Sequence, residues 1–282
     1  MKKYILYILI VFFFLGCEEK KEIKLAVNSW IGYVPLFYAN EKGWLQKSGI
    51  KLIKTNSLGE SVSLYKNGFV DGLASTQYEY LQISTKVKPI ILLDKSFGGD
   101  MILSNKSIDK LVVSKDITAY LEIGSVNFLL LNYFLKSHNI SMNNINLISS
   151  NQKQLVQMLS DYNNDIIVVT YSPYDVNFKK LGFKVVASTK TDKNLLIIDA
   201  LFIDKKFDSK KFISLKKYVD IAIKEIQTNP KSVFKVIRSY YPNYTYNEFK
   251  KALKNIKWIN NPDRELLEEL KNINFPIEYL IK

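Results

Sequence analysis

The sequence predicts an α/β protein of two lobes, each a parallel-rich sheet flanked by helices, with a cleft and a hinge between them. Three observations lead there. From Ile23 onward short apolar strands alternate with amphipathic helices. The alternation comes in two successive sets, and beyond Asp204 the chain turns mostly helical with no third set. Strands joined through helices lie parallel, with both faces of the sheet covered.

In the first set IKLAVN, IKLIKT, FVDGLAS and KPIILLD read as strands, and PLFYANEKGWLQKS, ESVSLYKNG and TQYEYLQIST as the helices between them. The second set runs DITAYLE, SVNFLLLNYFLKSH, INLISS, QLVQMLSDY, DIIVVT, SPYDVNFKKL and FKVVAS, strand and helix in turn. The sets echo each other in detail. SLYKNG leads to Asp71 and, five residues on, Thr76, with Gln77 and Tyr78 opening a helix; VQMLSDYNN leads to Asp165 and, five residues on, Thr170, with Tyr171, Ser172 and Pro173 opening the next. Two lobes of similar fold follow from that echo. In each, strand C-termini and helix N-termini meet at one edge, where open parallel sheets bind ligands.

LLIIDALFID, residues 195–204, is a further apolar strand. Four helical segments follow over 209–228, 229–241, 245–256 and 261–273, two of them opened by Asn229-Pro230 and Asn261-Pro262. This tail is expected to pack back on the first lobe. Lobe one then comprises 23–97 and 196–282, and lobe two 98–195. The crossings, near Ser96 to Gly99 and Thr191 to Leu196, form the hinge.

The first residues read separately. Met1 to Lys3 carry positive charge and Tyr4 to Leu15 are uncharged and too short to span a bilayer stably, the pattern of an export signal. Phe14-Leu15-Gly16-Cys17 resembles the lipobox of bacterial lipoproteins. That resemblance implies a signal peptide over 1–16, an acylated Cys17, a tether over 17–22, and a soluble domain held at a membrane surface in the periplasm or at the cell surface.

Composition excludes several classes of function. Cys17 is the only cysteine of 282 residues, so its acylation would leave no thiol for disulfides, thiolate catalysis or zinc. The one histidine, His138, falls at a helix end, and a single histidine makes neither a metal cluster nor a catalytic triad. Neither metal nor cofactor is expected. The formal charge is +13, or +11 without Lys2 and Lys3. The excess is lysine spread along the chain, with Arg238 and Arg264 the only arginines. Nucleic-acid surfaces favour arginine for bidentate and stacking contacts, so nucleic acid is not expected as a partner; the protein reads as a monomer with a solvated lysine surface.

WIGYVPLFYANEKGWLQKSGIKL resembles the opening of periplasmic substrate-binding proteins of the nitrate, taurine, sulfonate and thiamine-precursor type, the NMT1/SsuA-like family. GFVDGLAST, GGDMILS, LEIGSVNFLLL, DIIVVTYSPY and IIDALFI match further segments of that family in order, so the likeness runs from about Ile23 to Ile203. It implies a two-lobed type II periplasmic binding fold that delivers a small solute to an ABC permease and its ATPase, and no catalysis. At Asn127-Phe128 relatives often carry serine-histidine, so no ligand contact carries over there. Two alternatives stay open: a sensor that presents ligand to a membrane receptor or kinase, and a pyrimidine-synthesising enzyme of the same fold, which would need histidine and cysteine chemistry.

Site candidates follow from the strand ends. Ser29, Trp30, Gly32 and Tyr33 lie between the first strand and its helix; Gly59, Glu60 and Ser61 follow the second strand, and Thr76 and Gln77 the third. Gly124, Ser125 and Val126, and Tyr171 with Ser172 and Pro173, open helices in the other lobe. Each can equally serve in capping and turns. Asp100, Glu122 and Asp199 sit within or beside apolar strands, where an unpaired carboxylate is costly to bury. They either pair structurally across the hinge or face the cleft and neutralise a cationic group. With no arginine before Arg238 to grip an oxyanion, the expected solute is amine-bearing, zwitterionic or heterocyclic, stacked on Trp30, Tyr33 or Tyr171.

Overall fold

The computed structural model describes residues 22–159, 164–191, 195–259 and 261–281. The signal segment and Cys17 lie outside the described residues. No described helix is long and apolar enough to cross a membrane.

Among the described residues eleven strands form two sheets: β1 (Ile23–Val27), β2 (Ile50–Lys54), β3 (Gly72–Thr76), β4 (Val87–Ser96), β5 (Asp100–Ser104), β6 (Ile117–Leu121), β7 (Ile145–Ser149), β8 (Asp165–Tyr171), β9 (Lys184–Ser188), β10 (Ile198–Asp204) and β11 (Ile256–Trp258). Sheet one has the order β11-β4-β10-β3-β1-β2, and sheet two β7-β6-β8-β5-β9. The helices are α1 (Val34–Glu41), α2 (Trp44–Lys47), α3 (Leu58–Lys66), α4 (Gln77–Leu81), α5 (Ile108–Val113), α6 (Val126–Ser137), α7 (Gln152–Met158), α8 (Asp175–Lys180), α9 (Ile213–Thr228), α10 (Pro230–Val236), α11 (Tyr246–Ala252) and α12 (Arg264–Asn272).

Most strands of each sheet run parallel; β5 in sheet two and β10 and β11 in sheet one run against them, β5 and β10 for a reason visible in the chain path. Only three residues separate Ser96, the end of β4, from Asp100, the start of β5. The chain therefore enters sheet two at the edge where β8 ends, and β5 runs antiparallel to β8 and β9. β10 likewise enters sheet one at the edge where β3 and β4 end, and runs antiparallel to both. The reversal has a functional consequence: Asp100 and Asp199, at the starts of these strands, stand among the C-terminal ends of their neighbours. Thr189 ties the crossings together, its Oγ1 accepting from Gly98 N–H at 2.7 Å and lying 2.8 Å from Ser96 Oγ.

Several elements differ from the sequence expectation. The helix over 35–48 is split at Gly43, whose φ of +69° ends α1 and starts α2. The helix expected over 76–85 stops at Leu81, and that over 172–181 begins at Asp175, after Ser172 and Pro173. β5 and α5 were not anticipated as elements. The tail segment expected to be helical through Ile256 leaves helix earlier, and β11 pairs antiparallel with β4 over Ser96 to Asp94, giving that edge its backbone partners.

The tail packs on sheet one. Leu215, Val219, Ile223 and Ile226 of α9 fall on one helical face and are buried in a cluster with Leu36 and Phe37 of α1. Each such apolar side chain contributes about 1.5–3 kcal/mol, which holds the loop between β1 and α1 in place. Sheet two has separate cores on its two faces, centred on Ile167 and Leu131 on one side and on Val168 and Leu155 on the other.

Candidate functional site

The strand ends of the two sheets face each other. On sheet one Asp199 stands directly opposite Thr76 of β3 and Asp94 of β4. On sheet two Asp100 stands opposite Tyr171 at the end of β8, and Glu122 follows the end of β6. Between them lies a deep cavity of about 10 Å³, with Trp30, Tyr33, Asp100 and Asp199 in its wall. A space of that size holds one water-sized group.

Five carboxyl groups are buried around this junction: Glu79, Asp94, Asp100, Glu122 and Asp199. Among the described residues none of them forms an ion pair with lysine or arginine. Neutral donors hold them instead. Trp30 Nε1–H donates to Asp94 at 3.2 Å, Tyr33 hydroxyl to Asp199 at 2.6 Å, and Tyr171 hydroxyl to Glu122 at 3.2 Å. Glu79 accepts from Val126 N–H at 2.7 Å and from the Ser75 and Thr76 hydroxyls. That bond links the start of α6 in sheet two to the helix that follows β3 in sheet one.

Burial pushes all five carboxyls above the ordinary carboxylate range. Asp100 rises to about 7, mainly by desolvation, with the negative charge of Glu79 adding to it. Glu122 rises to about 8 by desolvation, although Gln152 N–H and the Tyr171 hydroxyl pull it back. Asp94 and Asp199 are raised well above normal by burial, and Asp199 further by Asp94 across the antiparallel pair. Glu79 is raised by burial despite its hydrogen bonds. At neutral pH Asp100 is therefore about half protonated and Glu122 mostly so. Glu122 Oε2, Asn127 Nδ2 and Gln152 Oε1 are buried without a hydrogen-bond partner, so the sheet-two wall holds unused donors and acceptors.

A second, larger cavity of about 440 Å³ borders the first at Asn28, which lines both. Asn28 Nδ2 donates to the Tyr171 hydroxyl at 3.1 Å, and this pair separates the two spaces. The ends of β1 and β2 form one wall, α7 with Pro173, Tyr174 and Asn177 the opposite one, and Ser239 to Tyr244 the third.

The expected site residues divide into three groups. Trp30, Tyr33, Thr76, Asp100, Tyr171 and Asp199 line the deep cavity, and Ser29 lines the larger one. Glu122 lies behind Tyr171, bonded to its hydroxyl. The rest serve the chain itself. Gly32 lets Asp94 come close; Glu60 Oε2 accepts from Asn56 N–H at 2.7 Å; Ser61 Oγ lies 2.7 Å from Thr55 Oγ1; and neither cavity touches Gly59. Gln77 holds Ile198 N–H at 2.9 Å through its side-chain oxygen, and Gly124 O accepts from Gln82. Ser125 caps α6, whose Val126 N–H is occupied by Glu79. The rings of Trp30, Tyr33 and Tyr171 are buried, with their polar ends already bonded.

Residues the sequence reading did not single out are Asn28, Glu79 and Asp94 near the deep cavity, and Lys54, Lys153, Tyr174 and Tyr240 in the larger one. Asp94 carried the same signal as Asp199, an acid closing an apolar run, in KPIILLD. The aromatic run RSYYPNY lay in a tail read as packing alone.

Two sheets that meet at their strand ends across a cavity define the periplasmic binding protein fold, and comparison with solved structures agrees. The alkanesulfonate-binding protein SsuA from Xanthomonas axonopodis pv. citri bound to MOPS matches with a TM-score of 0.71 at 10% identity, over 94% of this chain and 96% of that one. The ligand-binding component of an ABC-type import system from Staphylococcus aureus with zinc bound gives 0.68 at 13% identity, over 93% and 97%. The nitrate-binding protein NrtA from Synechocystis PCC 6803 gives 0.64 at 15% identity, over 82% and 69%. No curated protein matches the sequence. The NMT1-like family model matches residues 16–207, and the chain belongs to that family.

Proposed function

We propose that this protein is a lipid-anchored, extracytoplasmic solute-binding protein that captures a small amine-bearing, zwitterionic or heterocyclic solute and delivers it to an ABC permease. The observation that carries this reading is the five-carboxyl cluster, buried at the junction of the two sheets with no ion pair to lysine or arginine among the described residues. Residues 23–97 with 196–282, and 98–195, act as lobes about the crossings at Ser96 to Gly99 and Thr191 to Leu196. A cationic group that enters between Asp100 and Asp199 supplies the missing charge, and closure follows because the solute binds the closed form more tightly than the open one. Without solute, protons fill that place, consistent with the raised pKa values of Asp100 and Glu122. Among the described residues the acids do not converge as a metal site, and we assign the cation as an organic ammonium. Solute capture leaves no chemical step for the protein: His138, the one imidazole, lies at the C-terminal end of α6 with Nδ1 2.9 Å from Phe134 O.

A thermal-shift panel tests this directly. Putrescine, spermidine, amino acids and aminopyrimidines are compared with nitrate, bicarbonate, taurine and methanesulfonate. A ligand at 100 times its Kd stabilises the folded state by about 2.7 kcal/mol. The expected result is a shift with a cationic compound that D100N or E122Q weakens at least tenfold. A shift with nitrate or methanesulfonate alone would remove the cationic reading.

A further inference from the structure

We infer that the 440 Å³ cavity holds the remainder of the solute, and that this remainder is a planar ring bearing an anionic group. The inference rests on the proposed binding role and specifies the ligand further. The deep cavity, at about 10 Å³, admits an ammonium and little else. The larger cavity adjoins it across the Asn28–Tyr171 hydrogen bond and draws its walls from both sheets, so a solute reaching from one space into the other bridges the lobes.

The walls define the chemistry. Tyr174 provides aromatic surface in the wall, and Tyr240 from the tail, whose ring stacks on Phe37 at 4.3 Å, lines the space with Lys54 above it. Lys54, at the end of β2, holds its ammonium 3.8 Å from the centroid of the Tyr240 ring, and Lys153, on α7, stands on the opposite wall. Neither lysine forms an ion pair among the described residues. Among the described residues no carboxylate lines this cavity, in contrast to the acids of the deep one. The site is therefore polarised: acids within, tyrosines between, lysines at the mouth. A ring fills the tyrosine-lined middle with its amine directed inward, and its anionic group lies at the mouth between Lys54 and Lys153, each from a different lobe. Inverted binding would place the anion among the carboxyls.

The test uses three probes: benzylamine, benzoate and para-(aminomethyl)benzoate, each titrated by calorimetry into the full chain and into a K54M/K153M variant. Both lysines are exposed, so the substitutions leave the core untouched. The expected result is that para-(aminomethyl)benzoate binds the natural protein at least tenfold more tightly than benzylamine, that benzoate binds weakest, and that the double variant brings the first ratio to about one. A Y240L variant should weaken both ring amines. Equal binding of benzylamine and para-(aminomethyl)benzoate, or a preference that survives loss of both lysines, overturns the inference. If putrescine binds but none of the ring compounds does, the inference falls and the cationic-solute reading stands; if no amine binds, both fall.

Discussion

Gly32→Ala should destabilise the protein by about 3 kcal/mol or more and abolish solute-induced stabilisation. A Cβ at position 32 would lie 1.9 Å from Asp94 Oδ2 and 2.3 Å from Trp30 Nε1. Neither group can retreat. Trp30 is already confined, since a Cβ on Gly99 would stand 2.3 Å from its ring, and Asp94 is fully buried, opposite Asp199. The methyl group would therefore break the indole–carboxyl hydrogen bond and leave a buried acid without its donor. Gly59→Ala is the control, because the nearest atom to its Cβ is Ser57 Oγ at 4.0 Å. In the first turn of α3 it should be neutral or slightly stabilising. Denaturant unfolding of the two variants checks the contrast; equal midpoints would contradict it.

The second large effect is a fall in stability as pH rises. Asp100 and Glu122 have folded-state values of about 7 and about 8, above the roughly 3.9 and 4.3 of the unfolded chain. Between those limits the folded state binds more protons than the unfolded one. The stabilisation is thus complete below about pH 4 and is lost as pH rises through the folded values. Ionising each group in place costs several kcal/mol, at about 1.36 kcal/mol per pKa unit. The melting temperature should drop progressively from about pH 4 to about pH 8 and level off above that, and a D100N/E122Q variant, whose amides do not titrate, should flatten that drop. Acid carboxylates stabilised by lysine would give the opposite slope, with stability lost on acidification.

Much of the fold was legible because its signal is local. The strand-helix alternation and the five-residue spacing from acid to threonine rest on burial patterns that a sequence displays directly. The directions of β5 and β10 depend on where the chain enters each sheet, and no periodicity carries that. β11 is three residues long and takes its form from the free edge of β4. The lining of the deep cavity was legible at Trp30, Tyr33, Thr76, Asp100, Tyr171 and Asp199, where unusual residues interrupt apolar strands or open helices. At Gln77, Glu60 and Ser125 the same polar residue types cap helices and bind backbone, and sequence alone does not separate these uses. Lys54 and Lys153 escaped because one lysine among many carries no mark until the tertiary fold sets it beside a cavity.

The central claim is that a cationic solute replaces protons in the carboxyl cluster. It is tested most directly by calorimetry of the tightest-binding amine at pH 7, in buffers of different ionisation enthalpy. Asp100 and Glu122 are partly or largely protonated at that pH, so binding should release about one proton per solute, and the D100N/E122Q variant should release far fewer. Binding with no proton exchange, or with net uptake, would contradict the account.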